Sequence, residues 1–190
     1  MKFIRLVCIA LMGISIVNVK PAVAVPTKRN HKPIPSFTQL CKQKESLKEQ
    51  TQYTIKVLLR KVATNNCDRA HQKLRKIQIL DLSSHEISDL SPLAQLTNLR
   101  ELYLSYNQIR DLSPLSRLTN LKFLFLESNQ IGDLSPLSQL TNLTWLFVGE
   151  NPIKNKTCPV KPESICEFEK NGDELLIPEE IDLIAQLPQS

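Results

Sequence analysis

LTNLRELYLSYNQIRDLSPLSR, residues 96–117, runs directly into LTNLKFLFLESNQIGDLSPLSQ, residues 118–139, and the two differ at only seven of 22 positions. LRKIQILDLSSHEISDLSPLAQ (74–95) precedes them and LTNLTWLFVGENPIKNKTCPVK (140–161) follows. Apolar residues at constant offsets and a constant period are the mark of a solenoid. No repeat in one can bury its apolar edge alone, so each lends that edge to its neighbour. The end copies depart from the pattern where a stack has to meet its caps. His85 stands in the column otherwise held by Asn107, Asn129 and Asn151, and the last copy loses DLSPL after Ile153.

The columns Leu96, Leu99, Leu102, Leu104, Asn107, Ile109, Asp111, Leu112, Pro114 and Leu115 resemble the leucine-rich repeat pattern LxxLxxLxLxxNxIxDLxPLxx. The 22-residue length with DLSPL is similar to the internalin-like class, an exported bacterial type. The resemblance implies an α/β solenoid of about four repeats with a parallel sheet on its concave side. It does not imply one function, because function resides in sites carried by a fold.

Alternation along a strand decides which side chains leave the core. If Leu102 and Leu104 point inward, then Glu101, Tyr103 and Ser105 point to the concave face. The same offsets give Ile79, Asp81 and Ser83 in the first copy, Phe123, Phe125 and Glu127 in the third, and Trp145, Phe147 and Gly149 in the fourth. Tyr103, Phe123, Phe125, Trp145 and Phe147 are five of the ten aromatic residues in the sequence, gathered on one surface. An exposed apolar patch of that size marks a binding site, or else a surface that something covers. A protein partner anchored on the aromatics, with Glu101, Asp81 and Glu127 as a polar rim, is the first expectation. Glycan binding through aromatic faces is the second. Cover by a second copy or by the tail, with its Leu175, Leu176, Ile177, Ile181, Leu183, Ile184 and Leu187, is the third.

Outward from the repeats, residues 1–24 read as a secretory signal. Lys2 and Arg5 precede a mostly apolar run that ends at Ala22-Val23-Ala24, a small-x-small cleavage site. Export, to the periplasm or beyond the cell, is therefore expected, with no membrane span after cleavage. Residues 25–35 carry three Pro and four basic or histidine side chains without apolar periodicity and read as a flexible arm. A helical cap over 36–73 follows. Capping boxes are predicted at Ser36/Gln39 and Ser46/Glu49, with two helices at roughly 37–45 and 47–63. The repeats then occupy 74–155, and 156–190 form a C-terminal cap and tail.

Of five cysteines, Cys8 lies in the signal, which leaves an even number in an exported chain and reads as two disulfides. Four cysteines allow three pairings. Closeness favours Cys158 with Cys166 and leaves Cys41 with Cys67. A continuous helix between those two would hold them ~39 Å apart, so that pairing demands a break near Ser46. Cys67 and His71 have helical i, i+4 spacing, but a structural metal wants four ligands and only Cys41 and His85 are at hand. No metal and no cofactor is expected.

Charge is divided along the chain. Residues 28–76 hold 13 Lys/Arg against Glu45, Glu49 and Asp68, and residues 77–190 hold 8 against 16 Asp/Glu. The basic part reads as a solvated helix surface or as a surface drawn to anionic headgroups. Without interleaved aromatics it gives no support for nucleic acid. There is no G-x-S-x-G, no phosphate-cradling glycine loop and no paired His at metal spacing. Asp89, Asp111 and Asp133 recur at structural offsets. A non-enzymatic recognition module is the expectation.

Overall fold

The computed structural model describes residues 34–169. The predicted signal, nearly all of the arm and the tail beyond Glu169 lie outside them. Five short strands form one parallel sheet in chain order: β1 Ile79–Asp81, β2 Glu101–Tyr103, β3 Phe123–Phe125, β4 Trp145–Phe147 and β5 Cys166–Glu167. From β1 to β4 every strand residue pairs with the one a full period ahead, as in Leu80↔Leu102, Leu102↔Leu124 and Leu124↔Leu146. The sequence period thus becomes the sheet register, and a slip of one residue would turn every leucine outward.

The return path is built from the repeated DLSPL. Short 3-10 turns occupy Ser91–Leu93, Ser113–Leu115 and Ser135–Leu137, each with Pro in its first turn, where a missing N–H costs nothing. The recurring aspartates start them: Asp89, Asp111 and Asp133 each accept the backbone N–H of Ser91, Ser113 and Ser135 at 2.8 Å. Leu82, Leu90, Leu93, Leu96, Leu99 and Leu102, together with their equivalents in later repeats, fill the interior. Each such side chain removed from water contributes ~1.5–3 kcal/mol before the chain's ordering entropy is counted.

The asparagine column ties the turns together. Asn129 Nδ2 donates to the carbonyls of Leu104, Leu126 and Glu127, and its Oδ1 accepts from Ile109 N–H, so one buried side chain serves two repeats. Asn107 and Asn151 make the equivalent bonds. In each turn the residue before the asparagine, Tyr106, Ser128 or Glu150, has positive φ. His85 closes its own turn through Nδ1 and the Ser83 carbonyl, 2.5 Å apart.

The N-terminal cap differs from its prediction. It contains three helices, α1 Phe37–Lys42, α2 Glu49–Lys61 and α3 Cys67–Leu74, with a 3-10 turn at Lys44–Ser46 between the first two. The Ser36/Gln39 capping box is present in full. The Ser46/Glu49 box is not: Ser46 Oγ donates to the Gln43 carbonyl and closes the 3-10 turn, and Lys48 stands at the N-cap of α2 without a side-chain bond. Leu74, read as the start of the first repeat, is the last residue of α3 and is fully buried. Asn66 caps α3 by accepting Arg69 N–H, and the break that the first disulfide demanded is supplied by the 3-10 turn and the turn after α2. Cys41 and Cys67 are joined, as are Cys158 and Cys166. The cap is bolted to the first repeat through Asp89, whose carboxylate accepts Thr51 Oγ1 and whose carbonyl accepts Thr54 Oγ1.

Candidate functional site

The outward positions of the sheet form three columns because the strands are in register. The first holds Ile79, Glu101, Phe123 and Trp145. The second holds Asp81, Tyr103, Phe125, Phe147 and, through β5, Glu167. One residue pair further along come Ser105 and Glu127, whose side chains meet with Ser105 Oγ donating to Glu127 Oε2 at 2.6 Å. All five expected aromatics are therefore brought onto one face.

The second column is a ladder of rings. Tyr103 and Phe125 stack with centroids 4.4 Å apart and planes 6° apart, and Phe125 and Phe147 follow at 4.7 Å and 5°. Trp145 joins sideways at 5.9 Å from Phe147, with planes 10° apart. The strand spacing of ~4.8 Å is close to a ring-stacking distance, so equal aromatics in register stack without distortion. Every ring of the five is half-buried. Phe125, in the middle of the ladder, has a ring stacked on either side, whereas Tyr103 and Trp145 each stack on one ring only.

Glu101 does not take the rim position assigned to it. It is only 6% exposed, set between Ile79 and Phe123 in its column, with its Oε2 accepting the Tyr103 hydroxyl at 3.1 Å. Alternation correctly put it on the outward face but could not show that large neighbours on both sides would cover a medium-sized side chain. Burial first, then the nearby Glu101 charge and its hydrogen bond, push the Tyr103 phenol up to about 12. Glu127 is half-buried, and its carboxyl lies above the usual range because desolvation outweighs the Ser105 hydrogen bond. Asp81 is exposed and accepts Ser83 N–H at 2.9 Å. Glu167 was missed in the sequence because β5 pairs 20 residues after β4, inside a cap that has left the repeat pattern.

Cys67 is consumed by its disulfide and leaves His71 without a sulfur partner. The His71 ring lies against the cap with Nδ1 unpaired, and burial lowers its pKa. Among the described residues no group of three or more His, Cys, Asp or Glu is placed to hold a metal ion, and no helix is long and apolar enough to cross a membrane.

Residues 75–117 match the family model described as Leucine Rich repeats (2 copies). The comparison with curated proteins gives no match. Among solved structures, an internalin from Listeria monocytogenes is 38% identical over 44% of this chain and 25% of its own, with a TM-score of 0.43. Internalin C2 from the same species is 33% identical over 53% of this chain and 54% of its own, at a TM-score of 0.39. A leucine-rich repeat protein of Leptospira interrogans is 26% identical over 46% of this chain and 29% of its own, at 0.35. The chain thus spans between a quarter and just over half of the length of these proteins.

Proposed function

We propose that the chain, whose residues 75–117 match the leucine-rich repeat model, is an exported recognition module whose aromatic sheet face binds another protein. The stacked ladder is the observation that carries this reading. Tyr103, Phe125, Phe147 and Trp145 are already ordered against one another, so little side-chain entropy is lost when a partner settles on them. Rigid aromatics at the centre of a patch are the residues that supply most of the energy at protein interfaces. A sugar ring would need a free ring face to stack upon, and at Phe125, the centre of the ladder, both faces are occupied. The geometry therefore favours a protein ligand over a glycan. Two disulfides in the described residues agree with an oxidising, extracytoplasmic setting. The reading assigns no catalytic residue and no cofactor.

The test compares the protein with its Phe125→Ser/Trp145→Ser variant in capture from exported proteins and from a glycan and peptidoglycan panel. A captured protein whose affinity falls roughly a thousandfold in the variant fits the reading, taking two anchors at ~2 kcal/mol or more each. Three stacking contacts are lost in that variant at ~0.5–1.5 kcal/mol each, so circular dichroism must first show that it folds. Trp145→Ser alone, which leaves the Tyr103–Phe125–Phe147 stack in place, serves as the milder second variant. Capture of glycan rather than protein would overturn the ligand class, and affinity indifferent to both variants would move the site off this face.

A further inference from the structure

The aromatic face carries charge of one sign. Its outward strand positions include Asp81, Glu101 and Glu127, and β5 adds Glu167 at the far end of the ring column, while no Lys or Arg occupies any of them. The ring ladder is thereby closed by a carboxylate at each end, Asp81 before Tyr103 and Glu167 after Phe147. Arg100 and Lys122, the basic residues closest in sequence to the strands, stand one position before β2 and β3. Among the described residues neither they nor any other cation forms an ion pair with these four carboxylates, which accept hydrogen bonds from Tyr103, Ser105, Ser83 and Glu169.

Resting on the reading of this face as a protein interface, we infer that its occupant is a basic segment of a partner protein, with Lys or Arg side chains interleaved with apolar ones. The apolar side chains would lie along the ring edges and the cations would reach the carboxylates that border them. Electrostatic complementarity of this kind selects partners and speeds encounter more than it raises affinity. A guanidinium suits the positions beside Asp81 and Glu127, since it is planar, weakly hydrated and able to bond a carboxylate through two N–H groups. Desolvation raises the pKa of Glu127, and a cation brought alongside would oppose that shift by favouring the charged form. The chain's own C-terminal residues are a poor match. Positions 170–190 hold Asp173, Glu174, Glu179, Glu180 and Asp182 against Lys170, so like charge opposes their lying on this face.

A random-peptide phage library selected on the protein tests the inference, with a parallel selection on Trp145→Ser. The expected result is enrichment, on the protein but not on the variant, of peptides with net positive charge and alternating apolar residues. A synthetic peptide of the enriched sequence should lose roughly tenfold in affinity for Asp81→Asn/Glu127→Gln, and should weaken further as salt rises from ~0.05 to ~0.5 M. Trp145, the only tryptophan, reports occupancy by its fluorescence. Enriched peptides that need Trp145 but are neutral or acidic would overturn the basic occupant and leave the interface standing. Peptides that bind Trp145→Ser equally well, or no enrichment at all, would sink the interface itself. Concentration-dependent self-association that Asp81→Asn/Glu127→Gln abolishes would replace the foreign segment by the basic cap of a second copy.

Discussion

Asn129 shows how much of this fold depends on single side chains. It is buried, and through it four backbone groups from two repeats are satisfied at once. Asn129→Ala orphans those groups and should cost about 2–4 kcal/mol in urea unfolding, since each buried group left unpaired costs ~1–3 kcal/mol when water cannot replace the bond. Asn129→Asp keeps the acceptor toward Ile109 but loses every donor to the carbonyls, and it should be no better tolerated. Glu127 gives a pH signature. With its folded pKa raised, the folded chain holds a proton that the unfolded chain releases, so the stability linked to this group is complete below the ordinary carboxylate range. It is lost as pH rises through the window between the ordinary and the raised value. Urea midpoints across mildly acidic pH should show that decline, and Glu127→Gln should flatten it. At this scale the sequence was most legible where a residue type recurs for a backbone reason, as with the asparagine and aspartate columns. It was least legible at Glu101, whose burial depends on the volumes of Ile79 and Phe123 in other strands rather than on its own alternation.

The strand positions followed from period and alternation, and the caps did so only in part. A short α3 before the first strand leaves little periodic signal, because four of its eight residues are Asp68, Arg69, Gln72 and Lys73 and only Ala70 and Leu74 are buried. Ser46 carried the right residue type for a helix cap and spent it on a 3-10 turn, a competition that local sequence does not resolve. β5 was hidden because its pairing offset is set by the loop that Cys158 and Cys166 close. The two bridges make a graded prediction. In the loop-entropy description, the separation of 26 residues at Cys41–Cys67 corresponds to about 3.5 kcal/mol and the separation of 8 at Cys158–Cys166 to about 2.5 kcal/mol. Cys41→Ser/Cys67→Ser should therefore lower the unfolding midpoint more than Cys158→Ser/Cys166→Ser. The second pair should instead speed amide exchange at Val148, whose N–H is bonded to the Glu167 carbonyl of β5.

As a whole the molecule is a stack in which each repeat is stabilised by its neighbours, so the middle carries more of the stability than the ends. Leu124 is fully buried and paired with Leu102 on one side and Leu146 on the other. Leu124→Ala should cost ~2–5 kcal/mol through lost transfer energy and the cavity left behind. If the stack melts as one unit, far-ultraviolet circular dichroism and Trp145 fluorescence will report the same lowered midpoint. Separated midpoints would mean that the C-terminal repeats open alone. Since Glu101 pairs with Phe123 and Phe123 with Trp145, an in-frame deletion of residues 118–139 would set Glu101 beside Trp145, Tyr103 beside Phe147 and Asn107 beside Asn151. Both caps would still meet the repeat ends they were shaped for, and the ladder would be one rung shorter. Unequal recombination between near-identical copies can thus alter the reach of the binding face in whole-number steps, with no intermediate that exposes the core.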